Sequence, residues 1–157
     1  ELVGSNELGN YDYLMFSDVE FRNPAVREEL KYWIEWYDNT VGFNGIRLDA
    51  VKHIPPAFFI EWIDFVQQMQ PDKQFFIVGE CWSHHDVEML RSYIDATEGR
   101  MHLFDSTLQN SFHTASKQGR NYNLSEIFNN SLLNSHPTLC VTLVDNHDTQ
   151  PLQSLEA

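Results

Sequence analysis

Four carboxylic residues, Asp49, Glu80, Asp105 and Asp148, stand at or just past the ends of short apolar runs. One such residue would be an ordinary helix cap. Four in succession, joined by Arg47, His53 and His147, exceed what capping accounts for. Carboxylates brought close together can divide labour, one ionised as a nucleophile and the other protonated as a general acid. That division serves retaining glycoside hydrolysis, where the two groups sit about 5–5.5 Å apart. Arg47 and Asp49, two apart in Gly45-Ile46-Arg47-Leu48-Asp49, would share a strand face. A structural ion pair is the plain alternative, and a catalytic carboxylate held ionised by an arginine is the chemical one. Glu80 follows the apolar run Phe75-Phe76-Ile77-Val78 and precedes Trp82, surroundings that favour a retained proton. His147-Asp148 adds a hydrogen-bonding ring and a further carboxylate suited to sugar hydroxyls. The sequence holds neither a Gly-rich phosphate loop nor a G-x-S-x-G nucleophile elbow.

The elements that must position these residues follow from periodicity. Asn23-Pro24 predicts a helix start, Val26, Leu30, Ile34, Tyr37 and Val41 recur at helical spacing, and Gly42 stops the run. A strand is expected over 46–51, with Ile46, Leu48 and Ala50 on one face. A second helix opens at Pro55-Pro56 and carries Phe58, Phe59, Trp62, Ile63, Val66 and Met69. Residues 74–80 read as a buried strand, and Ser83 and Asp86 as caps of a third helix with Val87, Leu90 and Ile94 inward. A short strand at 101–105 precedes a helical stretch containing Leu108, Phe112 and Ala115. Residues 124–133 read as further helix, and 138–144 as a fourth strand ending at Asp145-Asn146-His147-Asp148. Alternating helices and continuous apolar strands imply a parallel α/β sheet, whose carboxyl edge is where sites form.

Composition narrows the function classes. The 157 residues carry a formal net charge of −13, which argues against nucleic acid or an anionic membrane surface as partner. Hydrophobic residues make up 42%, enough for one core, and no apolar run approaches a membrane span. Cys81 and Cys140, far apart, read as free thiols rather than a disulfide framework. In the turn-rich lead-in, Asp12, Asp18 and Glu20 form a loose acidic group, either a solvated loop or oxygen ligands for calcium. His84-His85-Asp86 reads as surface polar residues of a helix start in preference to a zinc site. His102, His113 and His136 lack metal-ligand spacing, and Asp105 is expected to cap or support.

Gly45-Ile46-Arg47-Leu48-Asp49-Ala50-Val51-Lys52-His53-Ile54, Ile77-Val78-Gly79-Glu80-Cys81-Trp82 and Val144-Asp145-Asn146-His147-Asp148-Thr149-Gln150 resemble three ordered signatures of the α-amylase family of glycoside hydrolases. Asn10-Tyr11-Asp12-Tyr13-Leu14-Met15 and Gln150-Pro151-Leu152-Gln153-Ser154-Leu155 also resemble its bacterial liquefying and intracellular enterobacterial members. The resemblance implies Asp49 as nucleophile oriented by Arg47, Glu80 as general acid and base, and Asp148, assisted by His147, as a third carboxylate on the sugar hydroxyls. Lys52 and His53 would serve aglycone-side subsites, and Trp82 would line the cleft or pack in the core. Asp12, Asp18 and the backbone carbonyl of His53 would hold a structural Ca2+; Glu20 and Arg22 replace acidic residues that bind extra cations in some relatives.

The implied fold is a partial (β/α)8 TIM barrel, about strands four to seven with their helices. Residues 1–22 would be the end of an inserted calcium-binding loop region, and 23–157 part of the catalytic domain. Barrel strands one to three and eight, including a signature supplying an Asn for calcium and a His for sugar, fall outside these residues. The segment is therefore expected to be neither stable nor active alone. The implied activity is endo-acting, retaining hydrolysis of α-1,4-glucosidic bonds in starch, glycogen or maltodextrins by a monomeric complete enzyme. A cytoplasmic location is favoured, with secretion as the other course. Competing readings are a metal-dependent barrel hydrolase and a non-catalytic glucan-binding relative; the latter would lack Asp49 or Glu80, and both are present.

Overall fold

A computed structural model of the chain describes residues 19–149. Helix α1 spans Pro24–Val41. The Asn23 side chain accepts from the Ala25 N–H, Pro24 fills the first turn, and Gly42 at φ 68° donates to the Asp38 carbonyl. Strand β1 covers Gly45–Leu48, α2 Pro56–Met69, β2 Phe76–Gly79, α3 Val87–Ala96 and β3 His102–Phe104. Helix α4 covers Ser106–Gln118, α5 Leu132–Ser135 and β4 Cys140–Val141. The four strands pair in sequence order and all in parallel, with Arg47 opposite Val78 and Leu48 opposite Gly79. This is the parallel α/β arrangement expected from the alternating pattern.

The core lies where the inner faces of the helices meet the sheet. Phe59, Ile63 and Val66 of α2, Leu90 and Ile94 of α3, and Ile77 and Leu103 of the strands are almost wholly buried. Burial at about 25 cal/mol per Å2 makes this layer the main support of the strand ends that carry the polar groups. Asp105 is fully buried. Its Oδ1 accepts from the Leu108 N–H and the Thr107 hydroxyl, and its Oδ2 from the Leu133 N–H. It is a cap and a tether, as expected.

Three elements depart from expectation. Strand β1 stops at Leu48 rather than running to residue 51, because Ala50 adopts a left-handed conformation at φ 46° and the chain enters a 3-10 turn at Val51–His53. Residues 124–133 are not one helix: a 3-10 turn at Leu124–Glu126 is followed by turns, and Ser131 caps the four-residue α5. Asn123 and Ser131 bond to nearby backbone N–H groups, which interrupts helix propagation there. The fourth strand shrinks to Cys140–Val141. Beside the outer edge of β1, an apolar groove of 480 Å3 runs between α1 and α2.

Candidate active site

Glu80 sits just beyond β2, with its backbone fixed from both sides. Its N–H donates to the Leu48 carbonyl at 2.8 Å, and its carbonyl accepts from the Val51 N–H at 3.0 Å. The two bonds lock the end of β2 to the segment leaving β1, so Glu80 and the Arg47–Asp49 pair are placed by one local geometry. Arg47 Nη1 lies 2.7 Å from Asp49 Oδ1, and its Nη2 3.2 Å from Glu80 Oε1. One planar guanidinium thus spans both carboxylates, a task suited to its fork of donors.

The two acids differ sharply in environment. Glu80 is 8% exposed, whereas the Asp49 side chain is 71% exposed. Burial raises the Glu80 pKa above the usual carboxylate range; the Arg47 charge and the Ala50 N–H oppose this, and the charge and hydrogen bond of Asp49 add to it. Glu80 is the member of the pair predisposed to keep a proton.

A cleft of 270 Å3 is lined by Ala50, Lys52, His53, Glu80, Trp82 and Asp148. Five of the residues singled out in the sequence therefore share one wall space. Asp49 joins them through Arg47, which reaches both it and Glu80, and stands on a rim that also faces the apolar groove. His147 lies with Arg47, Phe104 and Asn146 around an adjoining 120 Å3 cavity, its Nε2 3.0 Å from Asp148 Oδ2. The Asn146 side chain accepts the Asp148 N–H, an Asx-type turn that shapes the loop after β4. Asp12 and Asp18 lie outside the described residues. Among the described residues no three His, Cys, Asp or Glu side chains converge on a common point.

Two contributors escaped the sequence reading. Tyr93 sits among the inward residues of α3, yet its hydroxyl donates to the carbonyls of Val51 and Ile54, bracing the turn that presents Lys52 and His53. His84, expected to be a polar residue on the surface at a helix start, is half-buried and accepts the Trp82 indole N–H at Nε2 over 2.8 Å. The spacing of an aromatic two residues before a histidine, directly after a strand end, is the only signal the sequence held for it. Cys81 and Cys140 are free thiols as expected, and burial pushes Cys81 up to about 11, which leaves it unreactive.

The profile of the α-amylase catalytic domain matches residues 10–156. The chain belongs to the α-amylase catalytic-domain family. It is 54% identical over 152 residues to the cytoplasmic α-amylase of Escherichia coli, covering 97% of this chain and 30% of that protein. It is 49% identical to an α-amylase of Geobacillus stearothermophilus, over 96% of this chain and 27% of the relative. The crystal structure of an Anoxybacillus α-amylase superposes with a TM-score of 0.70 at 28% identity, over 83% of this chain and 28% of that one. The chain thus spans about 30% of the length of these relatives. Its four successive parallel strands with covering helices are consistent with part of the (β/α)8 barrel that membership in the α-amylase family implies.

Proposed function

We propose that this chain supplies the catalytic carboxylates of an endo-acting, retaining hydrolase of α-1,4-glucosidic bonds. The observation that carries the reading is the single Arg47 guanidinium joined to an exposed Asp49 and to a buried Glu80, whose pKa burial raises. Glu80 donates its proton to the glycosidic oxygen as that bond breaks, and an Asp49 carboxylate oxygen bonds to the anomeric carbon. The aglycone leaves as an alcohol. Glu80, now ionised, takes a proton from water, whose oxygen attacks the same carbon and expels Asp49. Arg47 keeps Asp49 aimed throughout. Asp148, with His147 beside it, accepts hydrogen bonds from sugar hydroxyls, and Lys52 and His53 serve aglycone-side subsites of the cleft that Trp82 also lines.

The calcium expectation extends this reading. Asp12, Asp18 and the His53 carbonyl are hard oxygen donors, a set that suits Ca2+. The ion would brace the turn carrying Lys52 and His53 without entering the chemistry. The substrate is an α-glucan such as starch, glycogen or a maltodextrin, acted on by a monomer. The relative named as cytoplasmic supports a cytoplasmic location, and no helix among the described residues is long and apolar enough to cross a membrane.

The test uses the full-length protein carrying Asp49→Asn, with proton NMR of a linear malto-oligosaccharide digest. The native protein is expected to release new reducing ends first as the α-anomer. The variant is expected to unfold as cooperatively as the native protein and to release none. Hydrolysis by the variant, or initial β-anomer from the native protein, would overturn the assignment.

A further inference from the structure

We infer that His84 is a positioning residue for Trp82: its neutral imidazole fixes the indole that walls the cleft beside Glu80, and protonation of that ring lets the indole go. An indole N–H can only donate. With Trp82 Nε1 2.8 Å from His84 Nε2, that nitrogen must offer a lone pair, so the ring is neutral and its proton is on Nδ1. The two rings stand perpendicular with centroids 5.3 Å apart, so the imidazole meets the indole at its N–H edge. The other end of the residue is also held, because Lys52 Nζ donates to the Trp82 carbonyl at 3.0 Å. Trp82 is therefore clamped by its backbone from the turn after β1 and by its ring from the loop before α3. Both clamps act on a residue that shares the cleft with Glu80 and Asp148.

The groups facing His84 come from three places. His85 adjoins it with ring centroids 6.0 Å apart, Lys52 reaches in from the Val51–His53 turn, and His113 approaches from α4. Burial and all three of these neighbours resist a second proton, so the imidazole stays neutral to below the ordinary histidine range. At neutral pH the clamp is closed. On acidification the imidazolium turns an N–H toward the indole N–H, and the bond becomes a repulsion. The consequence for glucan binding rests on the functional reading above; the coupling of the two rings does not.

The experiment therefore has two arms in the full-length protein. In the first, the Trp82 indole 1H–15N resonance, assigned with Trp82→Phe, is followed from about pH 8 to about pH 4, a range that brackets histidine titration. The native resonance is expected to move with a midpoint below the ordinary histidine value. His84→Gln, whose Oε1 can accept where Nε2 did but cannot titrate, is expected to hold the bonded position throughout. His84→Phe is expected to show the unbonded position at every pH. In the second arm, KM for a malto-oligosaccharide is expected to rise about 2- to 10-fold in the native protein below that midpoint, the worth of one net hydrogen bond. It should stay flat in the Gln variant, with kcat following the same course in both. A native indole resonance that ignores pH, or that His84→Phe leaves in place, would overturn the inference. If the first arm behaves as expected while the native protein hydrolyses no glucan, the functional reading fails and the positioning role stands.

Discussion

Replacing Arg47 with methionine keeps most of the side-chain volume and removes the guanidinium that bridges Asp49 and Glu80. Two bonds are lost, and their surroundings set the loss. The Asp49 side chain is 71% exposed, so its bond is worth about 0.2–1 kcal/mol, as for other solvated pairs. The Glu80 side chain is 11% exposed, and a hydrogen bond to a charged group in such a setting is worth about 1.5–3 kcal/mol. Together they amount to about 2–4 kcal/mol, which converts to a loss of roughly 30- to 1,000-fold in kcat/KM. The pH profile carries the sharper signature. Arg47 is the largest influence holding the Glu80 pKa down against burial. Without it the raised value rises further, so the alkaline limb of kcat/KM, which reports loss of the general acid's proton, moves to higher pH. Stability follows the same sign. A carboxyl whose folded pKa lies above its unfolded value contributes stability that is present at low pH and is lost as pH rises through the folded pKa. The variant should therefore match the native protein in acid and fall below it at neutral pH. Arg47→Lys, a single point charge that cannot fork to both acids, should be intermediate. The assay is kcat/KM and the thermal midpoint of the full-length protein across pH. Activity within about threefold of native, or an alkaline limb displaced to lower pH, would refute the argument.

Two further substitutions probe how the fold delivers these groups. In Gly79→Ala the new methyl would sit 2.7 Å from Met101 Sδ, 3.1 Å from Leu103 Cδ2 and 3.1 Å from Val51 Cγ1. This overpacking should cost about 1–3 kcal/mol in urea unfolding and lower kcat, because Val51 holds the Glu80 carbonyl; an unchanged midpoint would contradict the packing described. In Asp105→Asn the amide must turn its NH2 toward either the Leu108 or the Leu133 N–H, since both carboxylate oxygens accept from backbone. About 1–3 kcal/mol of stability should be lost while kcat of the folded protein is retained, and a collapse of kcat would place Asp105 in the chemistry instead.

What the sequence made legible depends on whether a residue's role is set by period or by partner. Helix α2 was legible because Phe58, Phe59, Trp62, Ile63 and Val66 repeat on one face, and those residues are the ones buried. The ends of α1 were legible because Asn23, Pro24 and Gly42 each solve a local backbone problem. Residues 124–133 misled because Leu124, Phe128 and Leu132 also keep helical spacing, while Asn123 and Ser131 offer the backbone other partners. The pattern states where apolar groups recur. It does not state which hydrogen bond wins.

The same distinction runs through the site. The strand-end carboxylates stood out because charge after an apolar run is costly unless it is used. What decides their use, however, is the left-handed Ala50, a residue with no special preference for that conformation. By ending β1 early it breaks the alternation that would have put Asp49 and Val51 on one face. Val51 turns into the core, fully buried, while Asp49 stays at the rim with Arg47 and Lys52 is presented to the cleft. Tyr93 and Glu80 hold that turn from α3 and β2, through partners 42 and 30 residues away in sequence. A conformation maintained by distant donors leaves no local trace in composition or period. The Arg47–Asp49 ion pair could thus be expected from the spacing of the two residues, but the bend that aims it belongs to the assembled sheet.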